Sequence, residues 1–356
     1  MGKIVWLRAE TKPLERRTPL TPEQAGKLVA AGHRVVVEES ELRVFPDQSY
    51  IEVGCEATGE GSWREAPDDA FVLGLKELDD EDTPLRHAHI YFAHVYKGQR
   101  GSAATLRRFV SGGGRLYDLE YLVDERSRRV AAFGYWAGYV GAALGAALTG
   151  HQRGRPAEPF PPVGPFDDRA CAVDWAKEQL PDDGVPLRAL VVGALGRSGS
   201  GAIDLLERVG FRVTKWDLAE TKAGGPFAEI LEHDLLLNCV LVNQLTPPFV
   251  TIDTLRGARR LVAISDVACD PGSAVNPLPV YDAPTTMQDP AIDLDFGEPP
   301  LALTAIDHLP SLLPLESSED FSEQLFDHLV DLLDSGDLPP VWLRAQRTFE
   351  TAIAAL

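Results

Sequence analysis

Short apolar runs alternate with helix-like segments through the first third of the chain. Thr21, Pro22 and Gln24 predict the start of a helix, with Thr21 as N-cap, Pro22 in the first turn and Gln24 completing a capping box. The residues 105–110 also have helical spacing. Extended segments are predicted at Ile4–Leu7, Arg34–Val37, Phe71–Leu75, His89–Ala93, Arg115–Tyr117 and Val130–Phe133. This alternation is typical of a parallel sheet covered by helices.

A second pattern begins near Leu187, where an apolar run leads into a glycine-rich loop. The order is a strand at Arg188–Val192, a helix at Ala202–Val209, a strand at Phe211–Trp216 and then Asp217. The glycines of the loop are Gly193, Gly196, Gly199 and Gly201. Their spacing differs from GxGxxG, and a glycine loop alone is weak evidence, but the order of elements is typical of a dinucleotide site. Asp217 can accept both ribose hydroxyls and would repel a 2′-phosphate, so this unit indicates NAD rather than NADP.

The remaining segments suggest two domains. A small-residue helix is predicted at Tyr135–Leu148, with Gly138, Gly141 and Gly145 allowing close packing, and the residues 149–168 read as a loop. Further strands are predicted at Leu235–Asn238 and Leu261–Ile264, and closing helices at Ser318–Leu333 and Val341–Leu356. We therefore predict an α/β protein of two Rossmann-like domains with parallel sheets and an active-site cleft between them. The residues 1–133 with 318–356 would form the catalytic domain, and 134–317 the NAD-binding domain.

Composition narrows the class of protein. The chain has 356 residues and a formal charge of −20, which argues against binding to nucleic acid or to an anionic membrane. It contains no run of 18 apolar residues and begins without a signal-peptide pattern, so we expect a cytoplasmic protein. The four cysteines show no CxxC spacing, which predicts free thiols and no metal site.

Two polar patches follow predicted strands of the first domain. Lys76 and Glu77 come after one strand, and His94 follows the next. Because ligands bind at the carboxyl ends of parallel strands, Lys76 and His94 could face one site. A desolvated lysine can act as a general base, and histidine titrates near neutrality. The alternative is structural: Lys76 would pair with Glu77, and His94 would be an ordinary strand-end histidine.

Other charged residues are open to two interpretations. Glu120 could tune a neighbouring cation, and arginines near 16–17 and 128–129 could hold a substrate carboxylate, or all could be ordinary surface charges. Asp307 could lie near a nicotinamide or could simply stabilise a turn.

Several short segments of the sequence together resemble those of one enzyme family. They include GLKE at 74–77, FAHVYK at 92–97, RRVAAFG at 128–134, GALGRSGSGAIDLL at 193–206 and IDHLPSLLP at 306–314. The chain resembles the NAD-dependent, L-lysine-forming saccharopine dehydrogenases and, more distantly, alanine dehydrogenase and transhydrogenase. The resemblance implies a reversible oxidative deamination in which saccharopine, NAD and water give L-lysine, 2-oxoglutarate and NADH. Members of this family tend to be monomers.

The same resemblance implies roles for individual residues. Lys76 would take a proton from the secondary amine, and His94 would activate water to attack the imine. Glu77 and Glu120 would adjust the pKa values of this pair. Arg17, Arg129 and Phe133 would belong to the substrate-binding region. The implied cofactor contacts are Gly193, Leu195, Gly196, Arg197, Ser198, Gly199, Asp217, Thr221, Cys239, Val240, Asp307 and Leu309.

The sequence departs from the family at a few positions. Ser198 stands where members can carry a cysteine able to pair with one at the position of Cys239, so that disulfide is impossible here. Ala223 stands where an arginine near the adenosine can occur, and Lys222 could substitute for it. These changes leave room for a related opine or imine reductase, or an alanine-dehydrogenase-like enzyme with another amino acid donor. A non-catalytic NAD-binding protein is a third alternative, against which Lys76, His94 and Asp217 argue.

Overall fold

The computed structural model describes residues 2–79, 81–99, 101–182, 184–242 and 244–356. Its strands are β1 (Ile4–Leu7), β2 (Arg34–Glu38), β3 (Glu56–Thr58), β4 (Phe71–Leu73), β5 (Ala88–Tyr91), β6 (Arg115–Asp118), β7 (Arg188–Val192), β8 (Arg212–Trp216), β9 (Leu235–Asn238), β10 (Ala263–Asp266), β11 (Ile292–Leu294) and β12 (Leu301–Thr304). Its α-helices are α1 (Pro22–Ala30), α2 (Asp47–Glu52), α3 (Ser102–Gly112), α4 (Gly134–Gly154), α5 (Arg169–Gln179), α6 (Arg197–Arg208), α7 (Leu218–Thr221), α8 (Ile252–Leu255), α9 (Pro314–Asp334) and α10 (Pro340–Ala354). Short 3₁₀ turns lie at Ser62–Glu65, Ala228–Glu232 and Leu309–Leu312.

The chain divides into two compact units. The first combines Met1–Ala132 with Pro314–Leu356, and the second is Phe133–Leu313. Each contains one sheet of six strands among the described residues, and all the neighbouring strands are parallel except β11 beside β12. The predicted α/β class with parallel sheets is confirmed.

The sheet of the first unit has the order β3-β2-β1-β4-β5-β6. Its strands are short and apolar because both faces are covered, and Leu7, Val72 and Ile90 are fully buried. Helix α1 begins as predicted, since the Thr21 hydroxyl accepts the Gln24 N–H. The predicted capping box is wrong in its second hydrogen bond, which would join the Thr21 N–H to the Gln24 side chain. The Thr21 N–H donates instead to the hydroxyl of Ser322 in α9.

The sheet of the second unit has the order β11-β12-β10-β9-β7-β8. Helices α4 and α6 pack backbone against backbone beside it. A Cβ atom on Gly138 would lie 1.7 Å from the Ser198 carbonyl oxygen, and one on Gly201 would lie 1.9 Å from that of Tyr135. The expectation that the glycines of this helix allow close packing is confirmed.

Two predicted segments are wrong. Val130–Phe133 is not a strand: only an isolated bridge joins Val123 to Arg129 there, around a turn in which Asp124 accepts the N–H groups of Arg126 and Arg128. The residues 149–168 are only partly a loop, since α4 continues to Gly154. In that last stretch the buried Thr149 hydroxyl donates to the Gly145 carbonyl oxygen, so a polar side chain is accommodated within the helix.

Within the described part of the chain, no helix is both long enough and apolar enough to cross a membrane.

Candidate active site

Three neighbouring strands of the first unit end beside the predicted acid–base residues. Lys76 lies three residues beyond β4, His94 three residues beyond β5, and Glu120 two residues beyond β6. Because β4, β5 and β6 are adjacent and parallel, their loops leave the same edge of the sheet. The fold therefore brings these predicted residues to one edge of the first unit.

His94 lies between two carboxylates. Its Nε2 atom is 3.5 Å from Glu77 Oε1, and its Nδ1 atom is 3.7 Å from Glu120 Oε2. The ring stacks on Phe92 at a centroid distance of 6.4 Å, and 41% of the side chain is exposed. Both nitrogens are thus flanked by negative charge while water can still reach the ring.

The structural alternative, in which Lys76 pairs with Glu77, is not what the described residues show. Glu77 faces His94 instead, and Glu120 forms a second ion pair at 2.8 Å with Lys97. This hydrogen bond raises the pKa of the Lys97 ammonium above its usual value. Lys97 is a residue of the site to which the sequence assigned no role, although it lies in the same strand-end loop as His94.

Asp118 holds the loops after β5 and β6 together. Its Oδ1 atom accepts the Glu120 N–H at 2.9 Å, and its Oδ2 atom accepts the Ala93 N–H at 3.3 Å. The residue is 1% exposed, and this burial raises the pKa of its carboxyl from 3.8 to about 7 despite the two hydrogen bonds. The charge of Glu120 acts in the same direction as burial.

Lys76 is half-buried and is held through its backbone. The Glu10 carboxylate accepts the N–H groups of Leu75 and Lys76 at 2.6 and 2.8 Å, and the Arg8 guanidinium donates to the Lys76 carbonyl oxygen. Burial raises the pKa of Glu10 above its ordinary value, although Arg8 and the two backbone N–H groups oppose that shift. The sequence assigned no individual role to Arg8 or Glu10, although both lie in the segment LRAETKPLE at 7–15 that contributes to the family resemblance.

Arg17 is a buried residue rather than a solvated one. Its Nε and Nη2 atoms donate to the two carboxylate oxygens of Glu15 at 2.8 and 2.6 Å. Burial opposes the ionisation of Glu15, but the charges of Arg17 and, more weakly, Lys76 outweigh it, and the pKa of Glu15 lies below its usual range. Glu15 is therefore ionised between Arg17, with which it is paired, and the charge of Lys76.

Arg129 and Phe133 lie near the end of the first unit and the start of the second. Arg129 is exposed beside its bridge to Val123, and its charge opposes protonation of Lys97. Phe133 is half-buried and immediately precedes α4.

The glycine loop of the second unit has the shape of a phosphate cradle. Gly193 has a φ of +84°, and a Cβ there would lie 2.6 Å from Val240 Cγ2. A Cβ on Gly199 would lie 2.1 Å from the Gly193 carbonyl oxygen, so only glycine lets the loop turn into α6. The first N–H groups of a helix have no intrahelical partner, and Gly196 at the N-cap of α6 supplies no side chain to bind them.

Asp217 connects this loop to the end of β8. Its Oδ2 atom accepts the Leu195 N–H at 2.9 Å, and its Oδ1 atom accepts the Leu218 N–H at 2.8 Å. Asp217 also forms a capping box with Glu220, and the Thr221 hydroxyl donates to its carbonyl oxygen. The carboxylate is half-buried, so one face of it can still accept an external hydroxyl.

The other predicted cofactor residues lie at two further strand ends. Cys239 and Val240 follow β9 next to Gly193, and burial raises the pKa of the Cys239 thiol. Asp307 lies exposed in a turn beyond β12, and Leu309 is buried against Gly141. All four cysteines are free, as Ser198 requires for the one at 239.

Solved structures with a similar fold define the class of fold to which the chain belongs. L-alanine dehydrogenase matches with a TM-score of 0.69 at 18% identity, covering 99% of this chain and 93% of that one. A family profile described as "Alanine dehydrogenase/PNT, N-terminal domain" matches residues 6–140. The fold is that of the alanine dehydrogenases.

Relatives with higher sequence identity define the family. Saccharopine dehydrogenase (NAD(+), L-lysine-forming) of Schizosaccharomyces pombe is 44% identical over 364 residues, which cover 99% of each chain. The enzyme of the same description from Yarrowia lipolytica is 47% identical, covering 97% of this chain and 96% of its own. The chain belongs to the family of NAD-dependent, L-lysine-forming saccharopine dehydrogenases.

Proposed function

We propose that this protein interconverts saccharopine with L-lysine and 2-oxoglutarate, using NAD as the oxidant. The observation that carries the proposal is the placement of Lys76, Glu77, His94 and Glu120 at one edge of the first sheet, in a chain similar to such enzymes over its full length. This reaction needs one group that deprotonates an amine and another that activates water, and that edge offers both.

Lys76 begins the oxidation in this mechanism. Its Nζ atom, as the free amine, takes the proton from the secondary amine of saccharopine, which frees the nitrogen lone pair to form the C=N bond as hydride leaves carbon. NAD supplies the acceptor for that hydride when it is bound. The turn that carries Lys76 is fixed through its backbone, so the amine can be held near the substrate nitrogen.

His94 carries the hydrolytic half of the reaction. Its half-exposed ring takes a proton from water as the oxygen attacks the imine carbon and returns that proton to nitrogen. It then accepts the hydroxyl proton of the carbinolamine as the C–N bond breaks to give lysine and 2-oxoglutarate. Glu77 and Glu120, at 3.5 and 3.7 Å, compensate the positive charge that the ring gains in this step.

Arginines are assigned to the carboxylates of the substrate. Saccharopine has three carboxylates, and an arginine can bind a carboxylate through two parallel hydrogen bonds. Arg129 is exposed close to Lys97, where it can meet one of them. Arg17 would act from beside Glu15, and Phe133 would form part of the surrounding wall.

The residues of the second unit fit a dinucleotide. The pyrophosphate would lie at the turn of Gly193 and the uncapped start of α6 at Gly196. The ribose hydroxyls would bind the half-buried carboxylate of Asp217. Leu195, Arg197, Ser198, Gly199, Thr221, Cys239, Val240, Asp307 and Leu309 would complete the cofactor site.

An assay with a panel of amine donors tests the function. Purified protein receives NADH, 2-oxoglutarate and either L-lysine, L-ornithine, L-alanine or ammonia, and NADH oxidation is followed by absorbance. We expect rapid oxidation with L-lysine alone. A preference for another amine would favour a related imine reductase, and NADH binding with no turnover would favour a non-catalytic protein.

A further inference from the structure

Two charged residues beyond the end of β1 lie buried against the turn that carries Lys76. Arg8 directly follows β1, and its N–H donates to the carbonyl oxygen of Leu73, the last residue of β4, at 3.0 Å, so this segment runs beside the end of β4. They are 3% and 8% exposed, and Arg8 Nη1 lies 3.6 Å from Glu10 Oε2. A buried ion pair costs desolvation energy that its own attraction rarely exceeds, which suggests that the pair serves another purpose.

The hydrogen bonds of the pair converge on a single residue. Glu10 accepts the backbone N–H of Lys76 at 2.8 Å, and Arg8 donates to its backbone carbonyl oxygen. The second oxygen of Glu10 accepts the N–H of Leu75 at 2.6 Å. Both polar backbone groups of Lys76 are therefore bound by the same ion pair, at a place where the ladder of β4 has already ended.

Two neighbours hold the Arg8 guanidinium in place. It lies over the ring of Tyr91, 5.6 Å from the centroid. It also lies directly against the backbone of Gly74, where a Cβ atom would be 2.1 Å from Arg8 Nε. The space that Gly74 leaves is occupied by Arg8, so the sequence of this turn accommodates the ion pair as well as Lys76.

We propose that Arg8 and Glu10 are positioning residues for Lys76: they clamp its peptide groups so that the amine meets the substrate nitrogen. This inference rests on the role proposed above for Lys76. The competing explanation is that the pair only stabilises the end of the sheet. The two explanations differ in whether loss of the pair acts through Lys76.

Hydrogen exchange tests the clamp without any reference to catalysis. In Glu10→Gln, the amide can accept with only one oxygen, so one of the two N–H groups loses its acceptor. We expect the backbone N–H of Leu75 or Lys76 to exchange about tenfold faster, the effect of losing one hydrogen bond. Asp234→Asn is the matched control, because Asp234 is also buried, accepts a backbone N–H from Arg188 and pairs with Arg260, but belongs to the second unit. Unchanged exchange at both positions in Glu10→Gln would overturn the proposal.

A double-mutant cycle tests whether the clamp acts through Lys76. We expect Glu10→Gln to lower kcat/KM about 10- to 100-fold with NADH affinity retained, the usual cost of a small misplacement. In a Lys76→Met background the same substitution should cost nothing further, since residues that act as a unit are not additive. An equal loss in both backgrounds would show a merely structural role and overturn the proposal.

Two further results distinguish a failure of the positioning role of Arg8 and Glu10 from a failure of the catalytic role of Lys76. If Glu10→Gln does not fold, Arg8→Lys keeps the charge but loses the reach to the Lys76 carbonyl oxygen, and the same cycle applies. If Lys76→Met turns over as fast as the unmodified protein, the catalytic assignment of Lys76 is wrong and so is a catalytic purpose for the pair. The exchange rates would still report whether Glu10 holds the turn.

Discussion

His94 has a backbone conformation that histidine seldom adopts. Its φ is +51°, in the left-handed region, where a side chain is strained unless its surroundings hold it. Asp118 supplies that constraint, because it accepts the N–H of Ala93, the residue before His94, and also that of Glu120 in the neighbouring loop. The strained loop places the imidazole between Glu77 and Glu120, which supports its proposed chemical role.

Replacing Lys76 tests the first proton transfer. Lys76→Met keeps the length of the side chain but removes the amine, so we expect turnover to fall by roughly 10²–10⁴, as for other acid–base groups. NADH binding, measured by fluorescence titration, should be unchanged. Lys27→Met, at an exposed lysine paired with Glu23 in α1, is the control and should keep full activity. Equal rates for the two variants would rule out the role of Lys76.

The buried carboxyl of Asp118 predicts a pH-dependent stability. Its pKa is raised from 3.8 to about 7, so between these values the folded protein keeps a proton that the unfolded chain releases. The free energy of unfolding therefore falls as the pH rises from about 4 to about 7. Asp118→Asn cannot ionise and should lack this contribution.

Urea titrations of both proteins at pH 4 and pH 8 measure the effect. Relative to Asp118→Asn, the unmodified protein should lose about 2–4 kcal/mol of stability between these pH values, from roughly three pKa units at 1.36 kcal/mol each. A difference between the proteins that does not vary with pH would mean that Asp118 ionises normally.

The positions of the site residues could be predicted from sequence, but their partners could not. Lys76 and His94 follow apolar runs, and the ends of such runs mark one edge of a parallel sheet. Glu77 faces His94 rather than its neighbour Lys76 because the loops after β4 and β5 lie side by side, which depends on strand order. No individual role could be assigned to Arg8 and Glu10 from sequence, since contacts made through backbone hydrogen bonds leave no recognisable pattern of residue types.

At the scale of elements, the packing of α4 on α6 depends on glycine. Gly138→Ala would place a Cβ 1.7 Å from the Ser198 carbonyl oxygen, so the helices must separate. We expect a loss of about 1–3 kcal/mol, as for other overpacked interiors, which exceeds the gain of up to about 1 kcal/mol in helix propensity. Chemical denaturation measures this loss.

Gly154→Ala is the control within the same helix. A Cβ there would meet nothing within 4 Å, and Gly154 is exposed at the end of α4. This variant should be as stable as the unmodified protein or slightly more stable. If Gly138→Ala behaved in the same way, the close approach of the two helices would be wrong.

Asp217, at the end of β8, should determine which cofactor is preferred. Asp217→Ala removes the proposed acceptor of the ribose hydroxyls and the charge that repels a 2′-phosphate, so we expect the ratio of kcat/KM for NADH to that for NADPH to fall at least tenfold, the effect of about 1.4 kcal/mol. It also removes hydrogen bonds to Leu195 and Leu218, and Asp217→Asn, which can keep one of them, separates the two effects. An unchanged ratio would show that the ribose is bound elsewhere.

Elements with strong periodicity were predictable, and weakly patterned ones were not. The apolar strands from β1 to β10 nearly all appear as short hydrophobic runs, whereas α5 mixes charged and apolar residues without a clear stripe and owes its start to the Asp168 cap. β12 is apolar but follows two prolines, a context that disfavours a strand. The extension of α4 to Gly154 depends on buried hydrogen bonds of its polar side chains, which no hydrophobic pattern reveals.

At the scale of the whole molecule, the two units carry separate parts of the proposed chemistry. The first unit holds the acid–base residues, and the second holds the glycine loop and Asp217. The glycine loop indicates a dinucleotide but is shared by many reactions, whereas the roles proposed for Lys76 and His94 are those of an amine oxidation followed by hydrolysis.

The most direct test of the proposed reaction is the stoichiometry of saccharopine oxidation. Purified protein is incubated with saccharopine and NAD, and the products are counted by mass spectrometry and NADH absorbance. We expect one L-lysine, one 2-oxoglutarate and one NADH for each saccharopine consumed, with the rates of formation of all three falling together by roughly 10²–10⁴ in Lys76→Met. No NADH from saccharopine, in a preparation that oxidises L-alanine or another amino acid and releases ammonia, would contradict the proposed reaction.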